Sequence, residues 1–352
     1  MVRKQPNTKQ KKPATRASAS ASSPNNPLPT PSTTDDAPPQ LSIPRQQRLL
    51  DLFAAAFAPA LAAPSLPAEL QAIKQALYLR DFAAAFGRPD RLAAYAARWS
   101  PTRALCYAGV FRSYLPAAAA AAAGGRTRMI CVGGCAAEHV AFASYLEGAG
   151  GDLTLVDAAP WGEVAERLQE VIAAPPPLSS YASAAARAAN GPLVEAGRLR
   201  PRVLQRDALR ITDAEWAELL LAPAGDGAQV VVTLLFTLNE LYTSGGVAAT
   251  TRFLAALGAA LPDAALLLVV DSPGSYSEAA VGKDSKRYPM QWLLHHTLTE
   301  QQAGAATAWR WTRLESHDSL WFRLSDQLTY PIQLENMRYQ LHLYRIDKTP
   351  ST

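Results

Sequence analysis

Met129-Ile130-Cys131-Val132-Gly133-Gly134-Cys135-Ala136-Ala137-Glu138 is the stretch on which the fold of this chain turns. Four apolar residues meet two glycines, then small residues, then a helix-like run from His139 to Leu146. Glycine lets a backbone approach a ligand closely, and the following helix offers free N–H groups at its N-terminus. The next apolar run, Asp152-Leu153-Thr154-Leu155-Val156-Asp157, ends in an acid. That acid lies about 20 residues beyond the turn, where a carboxylate holds a ribose diol. The two together predict a Rossmann-like domain for an adenosine-containing cofactor.

The remaining strand and helix signals extend outward from this turn. Strands are expected at 127–133, 152–157, 201–205, 229–236 and 265–270, and helices at 136–147, 161–173, 212–221, 245–260 and 288–299. Alternation of this kind implies a parallel sheet covered on both faces. Two closing strands, 319–324 and 338–346, have no helix between them and suit an antiparallel hairpin at the sheet edge. Five alternating units with that hairpin form the layout of a class I methyltransferase sheet. The expected fold is therefore α/β, with the Rossmann-like domain over 126–348. Residues 43–125 read as a helical N-terminal module with an alanine-rich connector, with helices at 45–57, 68–86, 91–98 and 102–115. Residues 1–42 are rich in Pro, Ser, Thr and Asn and carry no aromatic residue. They read as a disordered basic tail, too poor in apolar surface to offset its chain entropy.

Composition narrows the classes. The chain has 352 residues and a formal charge of +4. Arg3, Lys4, Lys9, Lys11, Lys12 and Arg16 against Asp35 and Asp36 place that whole excess in the tail. The body is neutral and lacks the global basic field of a nucleic-acid coat, so polyanion attraction must come from local patches. Cys106, Cys131 and Cys135 are an odd set without framework spacing, which argues for a reduced, intracellular protein. The five histidines do not pair with cysteines at ligand spacing, so no metal is expected. No uninterrupted apolar run reaches membrane-span length, and no membrane association is expected.

In such sheets ligands bind beyond the carboxyl ends of the strands. Read in order, those ends give Gly133, Gly134 and Cys135, with Glu138 opening the helix. They then give Asp157 for the ribose, Asp207 for the adenine amino group, and Thr237-Leu238-Asn239-Glu240-Leu241-Tyr242. The last gives Asp271-Ser272-Pro273-Gly274-Ser275-Tyr276. The turn lacks the full G-x-G-x-x-G, with Cys135 and Ala137 at glycine positions. That departure disfavours a dinucleotide, whose pyrophosphate needs the closest approach, over S-adenosyl-L-methionine, which has no phosphate. Asp157 and Asn239 could instead cap helices, and Asp271-Ser-Pro-Gly could be turn chemistry.

Several long blocks resemble the fungal 25S rRNA uridine-N3-methyltransferase family. They are Leu235-Phe236-Thr237-Leu238-Asn239-Glu240-Leu241-Tyr242, Leu268 to Glu278, Arg287-Tyr288-Pro289-Met290-Gln291-Trp292-Leu293-Leu294 and Tyr330 to Gln340. Arg98-Trp99-Ser100-Pro101-Thr102-Arg103 fits as well, and the resemblance runs over roughly residues 45–347. It implies S-adenosyl-L-methionine as methyl donor and a uridine of large-subunit rRNA, or of a pre-ribosomal particle, as acceptor. It also implies a nuclear, nucleolar location, with the cytoplasm as a second compartment. Uridine N3 carries a proton, so Asp271 or Glu240 is expected as the base and Asn239 as the group holding a uracil carbonyl. N3 lies on the Watson–Crick edge, so the base must be unpaired or flipped out, stacked on Tyr276, Tyr288 or Trp292. Arg98, Trp99, Arg103, Lys286 and Arg287 are the expected RNA contacts. The competing readings are a methyltransferase for a small molecule or protein, an inactive ribosome-assembly scaffold on the same fold, and an NAD-dependent dehydrogenase.

Overall fold

The central strands are apolar almost without interruption, and the sheet explains why. In the computed structural model, residues 38–118, 126–221, 228–274, 276–281, 284–300 and 308–348 are described. Strands β1 (Thr127–Val132), β4 (Val230–Leu235) and β5 (Leu266–Asp271) are buried at every residue. Beside them lie β2 (Gly151–Asp157) and β3 (Leu199–Gln205) on one side, and β8 (Trp309–Phe322) and β9 (Met337–Lys348) on the other. The seven strands run in the order β3-β2-β1-β4-β5-β9-β8. The first five are parallel. β9 is antiparallel to β5, with Asp271 opposite Gln340, and β8 is antiparallel to β9.

Because side chains alternate across a strand, each strand feeds two separate cores. Met129, Cys131, Val231, Leu235, Leu268 and Leu341 point into one. Ile130, Val132, Val232, Leu234, Leu267, Val269 and Tyr344 point into the other. The second core is roofed by α10 (Asp213–Leu221), α11 (Leu238–Ala260) and α12 (Met290–His295), through Trp216, Phe253, Leu257 and Leu294.

The first core is deeper. Helix α7 (Ala136–Leu146) is buried at all eleven positions, as expected for a helix that is apolar all round. Helix α8 (Gly162–Ala173) lies beside it, and α6 (Ser100–Tyr114), buried from Ala104 to Phe111, packs over it. Around these sit α1 (Ile43–Ala56), α2 (Ala58–Ala62), α3 (Leu66–Tyr78), α4 (Phe82–Phe86) and α5 (Pro89–Arg98). These helices thus share one hydrophobic core with the sheet and one compact unit. The expected helix over 68–86 divides into α3 and α4, where Arg80 takes a positive φ of 57° and Asp81 caps the second piece. The short α9 (Ala184–Ala189) lies within the long 174–196 connection.

Three elements depart from expectation. Strand β8 begins at Trp309, ten residues ahead of the expected start. Its Arg, Glu, His and Asp residues occupy an edge strand with two register shifts, which blurs the alternation. A separate hairpin of β6 (Tyr276–Val281) and β7 (Asp284–Pro289) stands between β5 and α12, in a segment expected to be a polar loop. Helix α11 starts at Leu238 instead of 245 and is kinked at Gly246, where φ is 72° and ψ 172°. The expected tail, except for residues 38–42, and most of the alanine connector lie outside the described residues.

Candidate active site

The glycine turn is shaped by what stands behind it. Gly133 has φ +70°, its N–H donates to Val156 O at 2.8 Å, and a Cβ there would overlap the Thr237 side chain. Thr237, buried beneath the turn, donates its hydroxyl to Val132 O at 2.9 Å. It thus braces the glycine corner from behind and is not among the residues lining the cavity in front. A Cβ on Gly134 would lie 2.6 Å from the Glu138 carboxyl carbon, so the absence of a side chain there makes room for the folded-back glutamate.

A cavity opens in front of the turn. Gly133, Gly134, Cys135, Glu138, Asp157 and Glu240 line it as the strand ends suggested. Ala136, Ala137 and Leu235 also line it. Phe86, Tyr95, Ser100, Arg103, Trp161 and Phe236 complete it. Four of these six come from the N-terminal helices, a contribution that strand-end reasoning could not find because nothing in a helical repeat marks a residue as facing a cleft. Phe86, Tyr95 and Trp161 form an aromatic wall, with ring centroids 5.0 Å apart for Phe86–Tyr95 and 6.1 Å for Tyr95–Trp161.

Arg103 was expected at the RNA surface. It is drawn instead into the cavity, donating to the Tyr95 hydroxyl with its guanidinium 4.6 Å from the Phe236 ring centroid. Burial acts against its charge, but Tyr95, Tyr107 and Glu138 outweigh that and hold its pKa above the ordinary value. Phe236 has a positive φ of 59°, a conformation that costs about 1–3 kcal/mol in an aromatic residue. Its N–H bonds Val270 O at 2.7 Å, and its ring faces Arg103, so the surrounding structure fixes it in that form.

Carboxylates dominate the electrostatics. Burial raises Glu138 to about 7, partly opposed by its own and the Cys135 backbone N–H groups and by Arg103. Burial raises Asp157 to about 6, against the N–H of Ala159, which its Oδ1 accepts at 2.8 Å. Glu240, in the first turn of α11, is raised to about 7 by burial and then by the neighbouring charges of Asp157 and Asp271. Asp271 is raised to about 6 by burial, while its two oxygens accept from Asn239 N at 3.1 Å and Ser272 N at 2.7 Å. Asp271 therefore fastens the end of β5 to the start of α11, and Glu240 projects from that fastened turn into the cavity.

The other expected residues lie elsewhere. Asp207 caps a short 3-10 turn through Leu209 N at 3.0 Å, pairs with Arg210 at 3.2 Å, and does not line the cavity. Arg98 pairs with Glu335 at 2.6 Å, tying α5 to the segment before β9, and lies 5.7 Å from the centroid of Trp99. Trp99 packs against Tyr95 at 5.1 Å. Tyr288, Trp292 and His296 stack in sequence, at 5.0 and 4.8 Å, with Trp292 exposed. Tyr276, Lys286 and Arg287 are placed by backbone alone, in the β6–β7 hairpin. Among the described residues no cluster of metal-ligating side chains occurs, all three cysteines are free and buried, and no helix is long and apolar enough to cross a membrane.

A 3-2-1-4-5 parallel core with an antiparallel final pair, its glycine turn facing an acid at the end of the second strand, defines a class I methyltransferase. Residues 53–345 match the model of a family described as putative SAM-dependent methyltransferases, and the chain belongs to that family. It is 30% identical over 305 residues to the 25S rRNA (uridine(2843)-N(3))-methyltransferase of Saccharomyces cerevisiae, covering 79% of this chain and 78% of that one. Among solved structures it is similar to a SAM-dependent methyltransferase from Methanosarcina mazei (11% identity, 68% of this chain and 98% of that chain, TM-score 0.35). It is similar also to the 16S rRNA (adenine(1408)-N(1))-methyltransferase of Catenulisporales acidiphilia (18% identity, 66% and 93%, TM-score 0.35).

S-adenosyl-L-methionine is the cofactor of this family, and the residues present fit it. The cavity offers three carboxylates and one guanidinium to a molecule with two cationic groups and one carboxylate. Gly133 and Gly134 leave the turn bare of side chains on the cavity wall, and Asp157 stands on that wall at the end of β2.

Proposed function

We propose that the protein methylates N3 of a uridine in large-subunit rRNA, using S-adenosyl-L-methionine as donor. The observation that carries this is the 30% identity to the yeast rRNA uridine-N3 enzyme over about four-fifths of both chains. The geometry adds a base of suitable strength. Glu240, with a pKa of about 7, is half ionised near neutral pH and still basic enough to take a proton.

Bound S-adenosyl-L-methionine supplies an electrophilic methyl group on sulfur. The chain does the rest. Gly133, Gly134, Cys135, Glu138 and Asp157 hold the donor. The Glu240 carboxylate would accept the N3 proton of uracil as the new N3–methyl bond replaces the methyl–sulfur bond, whose electron pair would stay on sulfur as a neutral thioether. Asn239, beside it on α11, holds a uracil carbonyl. Asp271 positions both through its bond to the Asn239 backbone. Tyr288 and Trp292 offer stacking surface at the foot of the β6–β7 hairpin, and Lys286 and Arg287 on β7 supply phosphate contacts. An rRNA acceptor in turn points to a nucleolar location and to pre-ribosomal particles as the physical substrate.

Labelled S-adenosyl-L-methionine, purified protein and unmodified large-subunit rRNA, followed by nucleoside analysis, test the reading. Label in 3-methyluridine is expected, and label in any other nucleoside overturns the acceptor. Glu240→Gln should lower the single-turnover rate by about 10²–10⁴, the usual contribution of a positioned base. A normal rate in that variant removes Glu240 from the mechanism.

A further inference from the structure

Arg103 is a half-buried cation on the cavity wall with no salt bridge among the described residues. Its one side-chain hydrogen bond runs to the Tyr95 hydroxyl, and among the described residues no carboxylate lies within 4 Å of it. Tyr95, Tyr107 and Glu138 offset the burial of its charge, yet among the described residues no carboxylate takes up its hydrogen-bonding fork. The guanidinium is nevertheless pinned between Tyr95 and Phe236, with centroid distances of 5.6 and 4.6 Å, on the wall of the donor cavity. Phe236 keeps an unfavourable backbone conformation to face it. So rigid a placement suits a group awaiting a ligand.

The charge pattern says which part of the ligand. Every other ionisable carboxylate or amine lining the cavity is acidic: Glu138, Asp157 and Glu240, with Asp271 behind them. Arg103 is the sole cation among those lining residues. S-adenosyl-L-methionine carries a sulfonium, an ammonium and one carboxylate. The acids complement the first two groups, and the single guanidinium complements the third. A guanidinium fork also matches a carboxylate in geometry.

We propose that Arg103, delivered from α6 of the N-terminal helices, binds the α-carboxylate of the donor's amino-acid end. This rests on the cavity being the S-adenosyl-L-methionine site. Arg103 thereby makes the N-terminal helices part of the donor site, and the protein discriminates against donors that lack the carboxylate. Tyr95 acts through Arg103 as its positioning residue.

Calorimetric binding to the full chain separates the possibilities, with S-adenosyl-L-methionine and its decarboxylated analogue, which keeps sulfonium and ammonium, as the two probes. The wild-type protein should prefer the carboxylated donor by at least about tenfold. Arg103→Gln should weaken the carboxylated donor by about a hundredfold, as for loss of one partner of a buried charge pair, and the analogue by no more than about threefold. Arg103→Lys should retain part of the preference. Equal affinity of the wild type for the two probes overturns the proposal without any variant. Equal weakening of both probes by Arg103→Gln also overturns it and makes the residue merely structural. Binding of neither probe to the wild type defeats the donor-site reading itself, a distinct result from either of these.

Discussion

Gly133 answers two demands together: a positive φ and the Thr237 side chain directly behind it. Either alone disfavours a Cβ, and the two reinforce each other because the turn cannot relax backward without displacing Thr237 from Val132 O. Gly133→Ala should therefore lower donor affinity by more than about tenfold and destabilise the protein by about 1–3 kcal/mol. Calorimetry with S-adenosyl-L-methionine and denaturant titration measure the two effects. Thr237→Ala removes the two nearest atoms and leaves only its own Cβ, 2.9 Å away, while losing the hydroxyl bond at a cost of about 1 kcal/mol. The double variant should recover part of the affinity that Gly133→Ala loses. No recovery would show that φ, and not the overlap, is the controlling constraint.

Helix α11 carries Asn239 and Glu240 because it is in effect two helices. The first runs from Leu238 to Gly245 and is fastened at its N-terminus by Asp271; the second packs Phe253, Leu254 and Leu257 into the core. Gly246 joins them with φ 72° and ψ 172°, a region open essentially to glycine alone. A Cβ there would meet nothing within 4 Å, so the penalty of Gly246→Ala is purely one of backbone conformation, about 1–3 kcal/mol. A lowered melting temperature together with a lowered methyl-transfer rate is expected, since re-aiming the first segment moves Glu240. Loss of stability with an unchanged rate would show that the two segments are uncoupled.

The same helix shows what can be read from sequence and what cannot. Apolar runs that stop at polar residues reveal strand ends, so the chain order alone makes Gly133, Glu138, Asp157 and Glu240 legible as neighbours. The start of α11 is not legible in this way, because Asn239-Glu240-Leu241-Tyr242 carries no periodicity of its own and its cap, Asp271, lies 32 residues away. Arg103 and Tyr95 are legible only as helical residues. Their role depends on how α5 and α6 lie against the sheet, a tertiary fact without a local signature. Arg98 looks like a free surface cation in the sequence because Glu335, its partner, is distant along the chain.

Across the whole molecule, the clustered acids set a pH dependence of stability. Glu138, Asp157, Glu240 and Asp271 all have folded-state pKa values raised above their ordinary range near 4, to about 6–7. Between those limits the folded protein binds more protons than the unfolded chain, so stability falls as pH rises. The contribution is fully present below about 4 and is lost through 6–7. The ligand-free protein should thus melt several degrees higher near pH 5 than near pH 7.5, and Asp157→Asn with Glu240→Gln should flatten the difference. A cationic ligand, which favours the ionised acids, should reverse the slope. A scanning-fluorimetry series with and without S-adenosyl-L-methionine reads both effects. An unchanged slope in the double variant would place the titrating groups elsewhere.

Strand β9 lies between β5 and β8, and Tyr330 and Glu335 just before it bond back to Ala97 and Arg98. The edge of β5 therefore stays open until residues 337–348 have been made, although the glycine turn, β2, β3 and the N-terminal helices were translated long before. A ribosome-bound nascent chain ending short of residue 337 would carry every residue that lines the cavity yet lack the strand that pairs with the open edge of β5. The order of synthesis thus places closure of the sheet after translation of every residue that lines the cavity.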